Sequence, residues 1–339
     1  MIRMNKNESP IKPLSTETLT ELIEKCDYHL YPDVAYDRFR KAYAQYYGST
    51  FTREQITCGN GSDELIQKLM LIMPDGPCLT LNPDFFMYQD YARQVNRDIQ
   101  FVDATPELSF PVEAVLDKIE AVQPSFFILS NPHNPTGHRF DESYLLAVAN
   151  RMKQLGGYLV IDEAYIDFST PLDIALEDHI LVMRTLSKAY AMAGLRLGVL
   201  IGTEKTIQLV RQIEHPYPLS ALTMAIGIQL FENQADTEAF IAHQRHLSSR
   251  LKAILQQYAS PHMTIYPSET NFVLTAGPQA MVLGRHVEQH GFLPRFYNDP
   301  SEATMAGFVR YSIATEAQLD RFEQVVKEWS ERHDISNEP

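Results

Sequence analysis

The chain has 339 residues, 45% of them hydrophobic and 21% charged, which fits a globular protein of about two domains with a sizeable core. Its formal net charge of -14 argues against nucleic acid as a partner, because phosphate backbones attract basic surfaces. Three cysteines without C-x-x-C spacing argue against a disulfide framework, and the lack of a signal peptide or a long apolar run predicts a cytoplasmic protein without a membrane partner.

Short apolar runs alternate with amphipathic helical patterns through the first two thirds of the chain. The runs are apolar at consecutive positions, which predicts strands buried on both faces, as in a parallel sheet covered by helices. The predicted strands are 78–83, 99–104, 125–132, 158–165, 180–187 and 196–202. A helical spacing of apolar residues predicts a helix over 141–155. Together these elements predict an α/β layer architecture.

The pattern changes after about residue 233. A long helix is predicted over 235–258 and another near 279–290, and the stretches "FLPRFY" and "GFVRYSIAT" follow. The last helix begins with the capping-box pair Thr315 and Gln318. These features predict a smaller α+β domain. The predicted division is an N-terminal segment that packs with the small domain (1–27), a large domain (28–235) and the small C-terminal domain (236–339).

A strand that ends in a carboxylate is the first candidate site. In "YLVIDEAY" the acid Asp162 follows a buried strand, and open α/β sheets hold ligands at the carboxyl ends of their strands. A nucleotide hydrolase would use such an acid to hold magnesium, but that function requires the motif G-x-x-x-x-G-K-[ST], which the sequence lacks. An acid that only caps a turn remains an alternative.

Two loops offer polar groups of a different kind. In "TCGNGSDELIQKLM" the glycines suit a tight turn, and Ser62 opens a helix whose free N–H groups can bind an anion. Asp63 and Glu64 would repel a bound phosphate unless they point away. In "SNPHNPTG" two prolines and a glycine hold Asn131 and Asn134 in a rigid loop. Each loop taken alone is equally compatible with a structural turn.

Lys188 in "RTLSKAYAMAGLRLG" connects these groups. A lysine beside a second cation, here Arg196, is a good nucleophile towards carbonyl carbon. Arg196 can also hold a phosphate together with Ser187 and the helix start at Ser62. A phosphorylated carbonyl compound bound by lysine as a Schiff base describes pyridoxal phosphate, whose ring nitrogen requires a carboxylate partner. Asp162 is the available carboxylate.

The order "GNGSDE", "NPHNPTG", "DEAYIDFS" and "RTLSKAYAMAGLRLG" resembles fold-type I pyridoxal-phosphate enzymes, most closely the histidinol-phosphate aminotransferase family, over about residues 5 to 330. The resemblance implies a large, mostly parallel sheet domain and a smaller α+β domain. It implies that Lys188 is the Schiff-base lysine and proton carrier, and that Asp162 pairs with the pyridinium nitrogen. Tyr165 and Asn134 would contact the ring's phenolic oxygen. The implied phosphate ligands are Ser62, Asp63 through its backbone N–H, Ser187 and Arg196.

The resemblance also implies contacts outside these motifs. Phe85 in "NPDFFMY" would stack on the cofactor ring, and Tyr31 would reach the phosphate of the neighbouring subunit, which implies a homodimer. Arg310 would bind the substrate's α-carboxylate, and Arg295 and Asn7 would also bind substrate. On the residues alone, Arg310 is a polar position on an edge strand, and a surface role is equally compatible.

The implied reaction moves an amino group between an L-amino acid or an amino-alcohol phosphate, with histidinol phosphate as the first choice, and the pair 2-oxoglutarate and glutamate. The alternatives are an aromatic amino-acid aminotransferase, a threonine-phosphate decarboxylase and a non-catalytic pyridoxal-phosphate sensor. The chain nearly begins at "NKNESP", where family members carry a longer arm, and it has Arg295-Phe296 in place of the family's arginine-aspartate pair. These departures bear on substrate choice rather than on cofactor chemistry.

No metal site is predicted, because no third ligand accompanies His286 and His290.

Overall fold

The structure, a computed structural model, describes residues 1–335. Its strands are β1 (Ile2–Met4), β2 (Ile56–Asn60), β3 (Cys78–Asn82), β4 (Ile99–Asp103), β5 (Phe126–Ser130), β6 (Tyr158–Asp162), β7 (Ile180–Thr185), β8 (Leu197–Ile201), β9 (Thr264–Ile265), β10 (Phe272–Ala276), β11 (Phe292–Phe296) and β12 (Val309–Ser312). Its α-helices are α1 (Thr16–Glu24), α2 (Ala35–Tyr46), α3 (Gly61–Ile72), α4 (Met87–Gln94), α5 (Val112–Val122), α6 (Glu142–Gln154), α7 (Glu204–Arg211), α8 (Ala221–Glu232), α9 (Gln234–Tyr258), α10 (Pro278–Gln289) and α11 (Glu316–Ile335).

The large sheet has the strand order β2-β8-β7-β6-β5-β3-β4. β8 runs antiparallel to both of its neighbours, and the other pairs are parallel. The predicted fold class and all six predicted strands are confirmed. β2 was not predicted, because only Ile56 and Cys58 of its five residues are apolar and side chain-bearing. The parallel pairing brings the carboxyl ends of β5, β6 and β7 to one edge of the sheet.

Helices bury both faces of the large sheet. Phe126 and Ile128 of β5 pack in one core with residues of α3, and the alternate residues Phe127 and Leu129 pack in a second core with residues of α5 and α6. Side chains along a strand alternate between faces, so an apolar run of this kind satisfies two cores at once. This arrangement explains why the central strands are apolar at consecutive positions, and it gives the site at their ends a rigid base.

The small sheet has the order β1-β11-β12-β10-β9, with β1 parallel to β11 and the other pairs antiparallel. β12 lies between β11 and β10, so the prediction that Arg310 lies on an edge strand is wrong. Arg310 is also only 8% exposed, so it is not a surface residue. The strand β10, which pairs with β12, lies more than thirty residues earlier in the chain. The pattern of residues within β12 could not predict that pairing, because it carries no information about distant segments.

The N-terminal and C-terminal segments both complete the small sheet's core. Met4 of β1 is buried in one cluster with the apolar face of α11. The predicted capping box is present: the backbone N of Thr315 donates to Gln318 Oε1 at 3.1 Å, and the backbone N of Gln318 donates to Thr315 Oγ1 at 3.3 Å.

The domain boundaries at residues 27 and 235 stay a prediction, and residues 336–339 of the last range lie outside the described chain. Within residues 1–335, no helix is both long enough and apolar enough to cross a membrane.

Candidate active site

Two cavities that share part of their lining open at the carboxyl ends of β5, β6 and β7. We call the first, of about 320 Å³, the inner cavity; its lining includes Ser62, Asp63, Asp162, Ser187, Lys188 and Arg196. We call the second, of about 390 Å³, the outer cavity; its lining includes Asn7, Arg295, Tyr297, Glu302, Arg310 and Lys188. Phe85, Asn134 and Tyr165 line both cavities. The structure therefore brings together every predicted site residue except Tyr31.

Asp162 is the last residue of β6, and its side chain is buried below the inner cavity. Its carboxylate accepts a hydrogen bond from the Tyr88 hydroxyl at 2.8 Å and one from the Ala164 backbone N at 3.1 Å. Burial raises the pKa of Asp162 to about 6, although both hydrogen bonds act in the opposite direction. A buried carboxylate of this kind is stabilised by a cation, such as a protonated ring nitrogen.

Lys188 lies in the turn that follows β7, where it lines both cavities. Its Nζ is 5.8 Å from the centroid of the Tyr165 ring. The preceding residue, Ser187, is buried, and its hydroxyl accepts a hydrogen bond from Thr185 Oγ1 at 2.9 Å. The amine is thus held between the inner and outer cavities, where a ligand in either one can reach it.

The start of α3 forms a cradle that excludes side chains. A Cβ atom on Gly61, whose φ is +80°, would lie 2.4 Å from Arg196 Nη2, and a Cβ atom on Gly198 would lie 2.5 Å from the Ser62 backbone N. Only glycine at both positions lets the guanidinium and the first turn of the helix come this close. The N-cap residue Asn60 makes no side-chain capping hydrogen bond within the described chain. The arrangement fits a phosphate group.

The two acids at this helix start differ in direction. Glu64 turns back, because it accepts hydrogen bonds from the Asn60 backbone N at 2.7 Å and from Asn60 Nδ2 at 2.6 Å, and it pairs with Lys68 at 2.6 Å. Asp63 instead accepts a hydrogen bond from Arg196 Nη2 at 2.6 Å. Glu64 therefore meets the condition of pointing away from a bound phosphate, and Asp63 does not. A phosphate bound here would share Arg196 with that carboxylate.

Asn7 connects the N-terminal segment to the small sheet and to the loop that follows β6. Its Nδ2 donates to the Tyr165 hydroxyl at 2.8 Å, and its Oδ1 accepts from Ser312 Oγ at 2.7 Å. The Asn271 side chain donates to the Asn7 carbonyl at 3.0 Å. Asn7 lines the outer cavity, but its buried amide is engaged with protein groups, so its clearest structural effect is to orient Tyr165.

Arg310 extends from the small sheet into the outer cavity. Its Nη1 donates to Asn134 Oδ1 at 2.6 Å, and its Nη2 donates to the Asn5 carbonyl at 3.3 Å. Its Nε is buried and has no hydrogen-bond partner among residues 1–335. A buried guanidinium with an unused donor is suited to bind a carboxylate.

The loop before α4 places an aromatic ring at both cavities. Asp84 accepts hydrogen bonds from the backbone N of Phe85 at 2.7 Å and of Ser130 at 3.1 Å. Phe85 then meets Tyr88 edge-on, with ring centroids 5.5 Å apart. The buried Asp84 carboxylate therefore fixes Phe85 to the end of β5, as the predicted stacking role requires.

Tyr31 lies outside both cavities. It is 75% exposed and stacks on Tyr217 with ring centroids 4.5 Å apart. Its predicted role in a neighbouring subunit stays a prediction, because the structure contains one chain.

Tyr88 and Glu302 are among the residues that contact predicted site groups and were not predicted from the sequence. Tyr88 follows Phe85 by three positions in the same quoted stretch, and this helical spacing was the available signal. Glu302, which pairs with Arg295, lies in an irregular segment without a motif. Nothing in the local sequence identifies it.

Comparisons with known proteins agree with this geometry. The aminotransferase class I and II family matches residues 2–323. A histidinol-phosphate aminotransferase of Pyrococcus furiosus is 30% identical over 80% of this chain and 78% of its own length, and one of Clostridium novyi is 28% identical over 94% and 88%. The crystal structure of histidinol-phosphate aminotransferase from Sinorhizobium meliloti in complex with pyridoxal-5'-phosphate shares the fold, with a TM-score of 0.82 at 22% identity over 96% of this chain and 90% of that one. The chain therefore belongs to the aminotransferase class I and II family and is a pyridoxal-phosphate-dependent aminotransferase.

Proposed function

We propose that the enzyme transfers an amino group between histidinol phosphate and 2-oxoglutarate. The observation that carries this proposal is that two arginines, Arg295 and Arg310, line the same cavity as Lys188. Histidinol phosphate carries a phosphate, and glutamate and 2-oxoglutarate each carry two carboxylates. Arginine is the side chain best suited to bind these anions. The relatives named histidinol-phosphate aminotransferase support the same choice.

The inner cavity supplies the groups that would hold the cofactor. The proposed phosphate ligands are Ser62, the backbone N–H of Asp63, Ser187 and Arg196. Asp162 would pair with the ring nitrogen, Phe85 would pack against the ring, and Tyr165 and Asn134 would bind its phenolic oxygen. When bound, pyridoxal phosphate supplies an electron sink that acidifies the substrate's reacting C–H bond.

The chain's own residues account for proton movement and orientation. We propose that Lys188 Nζ takes the proton from the substrate's reacting carbon and later returns a proton, as general base and then general acid. Asp162 keeps a proton on the ring nitrogen, because its buried carboxylate is stabilised by that charge. Arg310 orients the α-carboxylate of 2-oxoglutarate and of the glutamate formed from it, and its bond to Asn134 couples that contact to the inner cavity.

Arg310→Gln should raise KM for glutamate and for 2-oxoglutarate by roughly 10- to 100-fold, because a charge-assisted hydrogen bond to each carboxylate is lost. Arg285→Gln is a matched control, since Arg285 lies on α10 and pairs with Glu288 away from both cavities. Steady-state kinetics with each substrate in turn checks this expectation. A KM for Arg310→Gln equal to that of the control would remove Arg310 from the substrate site.

The proposed substrate is tested by comparing kcat/KM for histidinol phosphate, phenylalanine and threonine phosphate, each with 2-oxoglutarate as acceptor. We expect the highest value for histidinol phosphate, with one glutamate formed for each donor consumed. A preference for phenylalanine would replace the proposal by aromatic transamination. Release of carbon dioxide from threonine phosphate, without glutamate, would replace it by decarboxylation.

Aromatic transamination is the second candidate because of the outer cavity's other lining residues. Glu302 contacts Arg295 and so neutralises part of the positive charge. The same cavity is lined by the aromatic side chains of Phe85, Phe86, Tyr88, Phe101 and Tyr297. A donor with a neutral aromatic side chain would pack against these rings without disturbing the ion pair between Arg295 and Glu302.

We also propose a cytoplasmic homodimer in which Tyr31 contacts the phosphate of the other subunit. The segment around Tyr31 is unusually apolar for a surface, since Tyr28, Leu30, Tyr31 and Val34 are each at least 60% exposed. Such a patch fits a protein interface. Sedimentation equilibrium should give twice the chain mass of 38.7 kDa, and a single-chain mass at micromolar concentration would refute the dimer.

A further inference from the structure

Two cations share one side of the outer cavity. Arg295 of β11 and Arg310 of β12 are directly opposite each other in an antiparallel pair, so their side chains leave the same face of the sheet. The guanidinium carbons lie 5.4 Å (Arg295) and 6.0 Å (Arg310) from the centroid of the Tyr297 ring. Like charges at opposite positions repel, so this arrangement requires a nearby anion.

Glu302 supplies that anion from within the chain. Both of its carboxylate oxygens lie 2.8 Å from Arg295 Nη2. The Glu302 side chain is 10% exposed, that of Arg295 is 36% exposed, and both line the outer cavity with Arg310. The contact is therefore a carboxylate held on an arginine inside the space that a substrate would enter.

Glu302 comes from a segment that a ligand can displace more readily than a sheet residue. It lies in the 3-10 segment Pro300–Met305, between β11 and β12, and its own φ and ψ of -107° and 26° interrupt the helical turn. A carboxylate on an irregular connection can move away from Arg295 without breaking the backbone hydrogen bonds of a strand.

We infer that Glu302 is a specificity-determining residue that takes the place of a substrate's distal anion on Arg295. A donor with a neutral distal group binds while the Glu302–Arg295 pair stays closed. A substrate with a distal carboxylate or phosphate must displace Glu302 to reach Arg295. The inference rests on the proposed function in one respect, namely that the outer cavity holds the substrate's distal group.

This competition determines which anions are accepted. A distal carboxylate that displaces Glu302 only replaces one carboxylate by another on Arg295. The dicarboxylate therefore gains little binding free energy beyond that of its contact with Arg310. A distal phosphate dianion brings greater charge and more acceptor oxygens, so it displaces Glu302 more effectively. Glu302 thus weakens the binding of dicarboxylates more than it weakens the binding of phosphorylated substrates.

The test compares two unreactive ligands on the holoenzyme, succinate with two carboxylates and propionate with one. Their Kd values are measured from the change in cofactor absorbance, so no turnover is required. In Glu302→Gln, succinate should bind about tenfold more tightly than in the wild type, because Arg295 becomes available, while propionate should change by less than about twofold. Glu288→Gln is the matched control, since Glu288 pairs with Arg285 at the same distance of 2.8 Å outside the cavity, and it should change neither Kd.

Two further variants show whether the gain in succinate binding depends on the Glu302 carboxylate and on Arg295. Glu302→Ala should reproduce the gain for succinate, and Arg295→Gln combined with Glu302→Gln should abolish it. The inference is overturned if succinate binds both folded Glu302 variants as it binds the wild type, or if propionate tightens to the same extent as succinate. Failure of histidinol phosphate as a donor would refute the proposed substrate but would leave these two Kd values interpretable.

Discussion

Replacing Lys188 with alanine should lower kcat by about 10⁴-fold, the upper range for loss of a general acid-base group. The variant loses the amine that carries the proton at the reacting carbon. The phosphate cradle at Gly61 and Gly198 and the buried Asp162 carboxylate stay intact, so cofactor should still bind. Single-turnover kinetics with glutamate checks the loss directly, because it isolates the proton-transfer step from product release.

Lys205→Ala is the control for this variant. Lys205 is an exposed lysine on α7 that pairs with Asp178 at 2.8 Å, and its loss should leave kcat within about twofold of wild type. If Lys188→Ala retained more than a tenth of wild-type kcat, another residue would have to carry the proton. Adding a small primary amine to Lys188→Ala should restore part of the rate, which a purely structural role would not explain.

Replacing Asp162 with asparagine should lower kcat by roughly 10²- to 10³-fold while the protein still binds cofactor, because an amide cannot stabilise charge on the ring nitrogen. Asparagine keeps the shape of the side chain. Its Oδ1 can accept from the Ala164 backbone N while its Nδ2 donates to the Tyr88 hydroxyl, so the change removes the charge and leaves neither group unpaired. Asp98→Asn changes an exposed acid just before β4 and should have no comparable effect. Wild-type turnover in Asp162→Asn would refute the electron-sink role.

The same variant gives a pH test on the apoprotein. Burial raises the pKa of Asp162 to about 6, above its ordinary value of 3.8, so the folded apoprotein holds this proton more tightly than the unfolded chain does. Its contribution to the free energy of unfolding is therefore present below pH 3.8 and is lost as the pH rises through 6. Between pH 4 and pH 8, the stability of apo Asp162→Asn relative to apo wild type should rise by up to about 3 kcal/mol. Urea denaturation at both pH values measures the difference, and a constant difference would show that Asp162 is not buried as described.

The sequence was sufficient to predict the inner cavity because its groups follow buried strands or glycine turns. Asp162 ends β6 and Lys188 follows β7, and parallel pairing alone brings those strand ends to one edge. The cradle at Ser62 and Arg196 depends on glycines that are visible in the quoted motifs.

The outer cavity was harder to predict because it depends on pairings between distant segments. Arg310 is buried because β10 and β11 flank its strand, and neither pairing can be deduced from residues 308–315 alone. Glu302 reaches Arg295 across an irregular connection, where no periodicity applies. The sequence also left open the direction of the Asp63 side chain, because its partner Arg196 lies more than a hundred residues further along the chain.

Covalent capture of the cofactor identifies the lysine that binds it. The holoenzyme is treated with borohydride, which reduces a lysine–cofactor linkage to a stable bond, and the digested protein is mapped by mass spectrometry. We expect the yellow colour to be bleached and the added mass to lie on Lys188 alone. Added mass on a different lysine, or no added mass after bleaching, would contradict the assignment of Lys188 as the Schiff-base lysine.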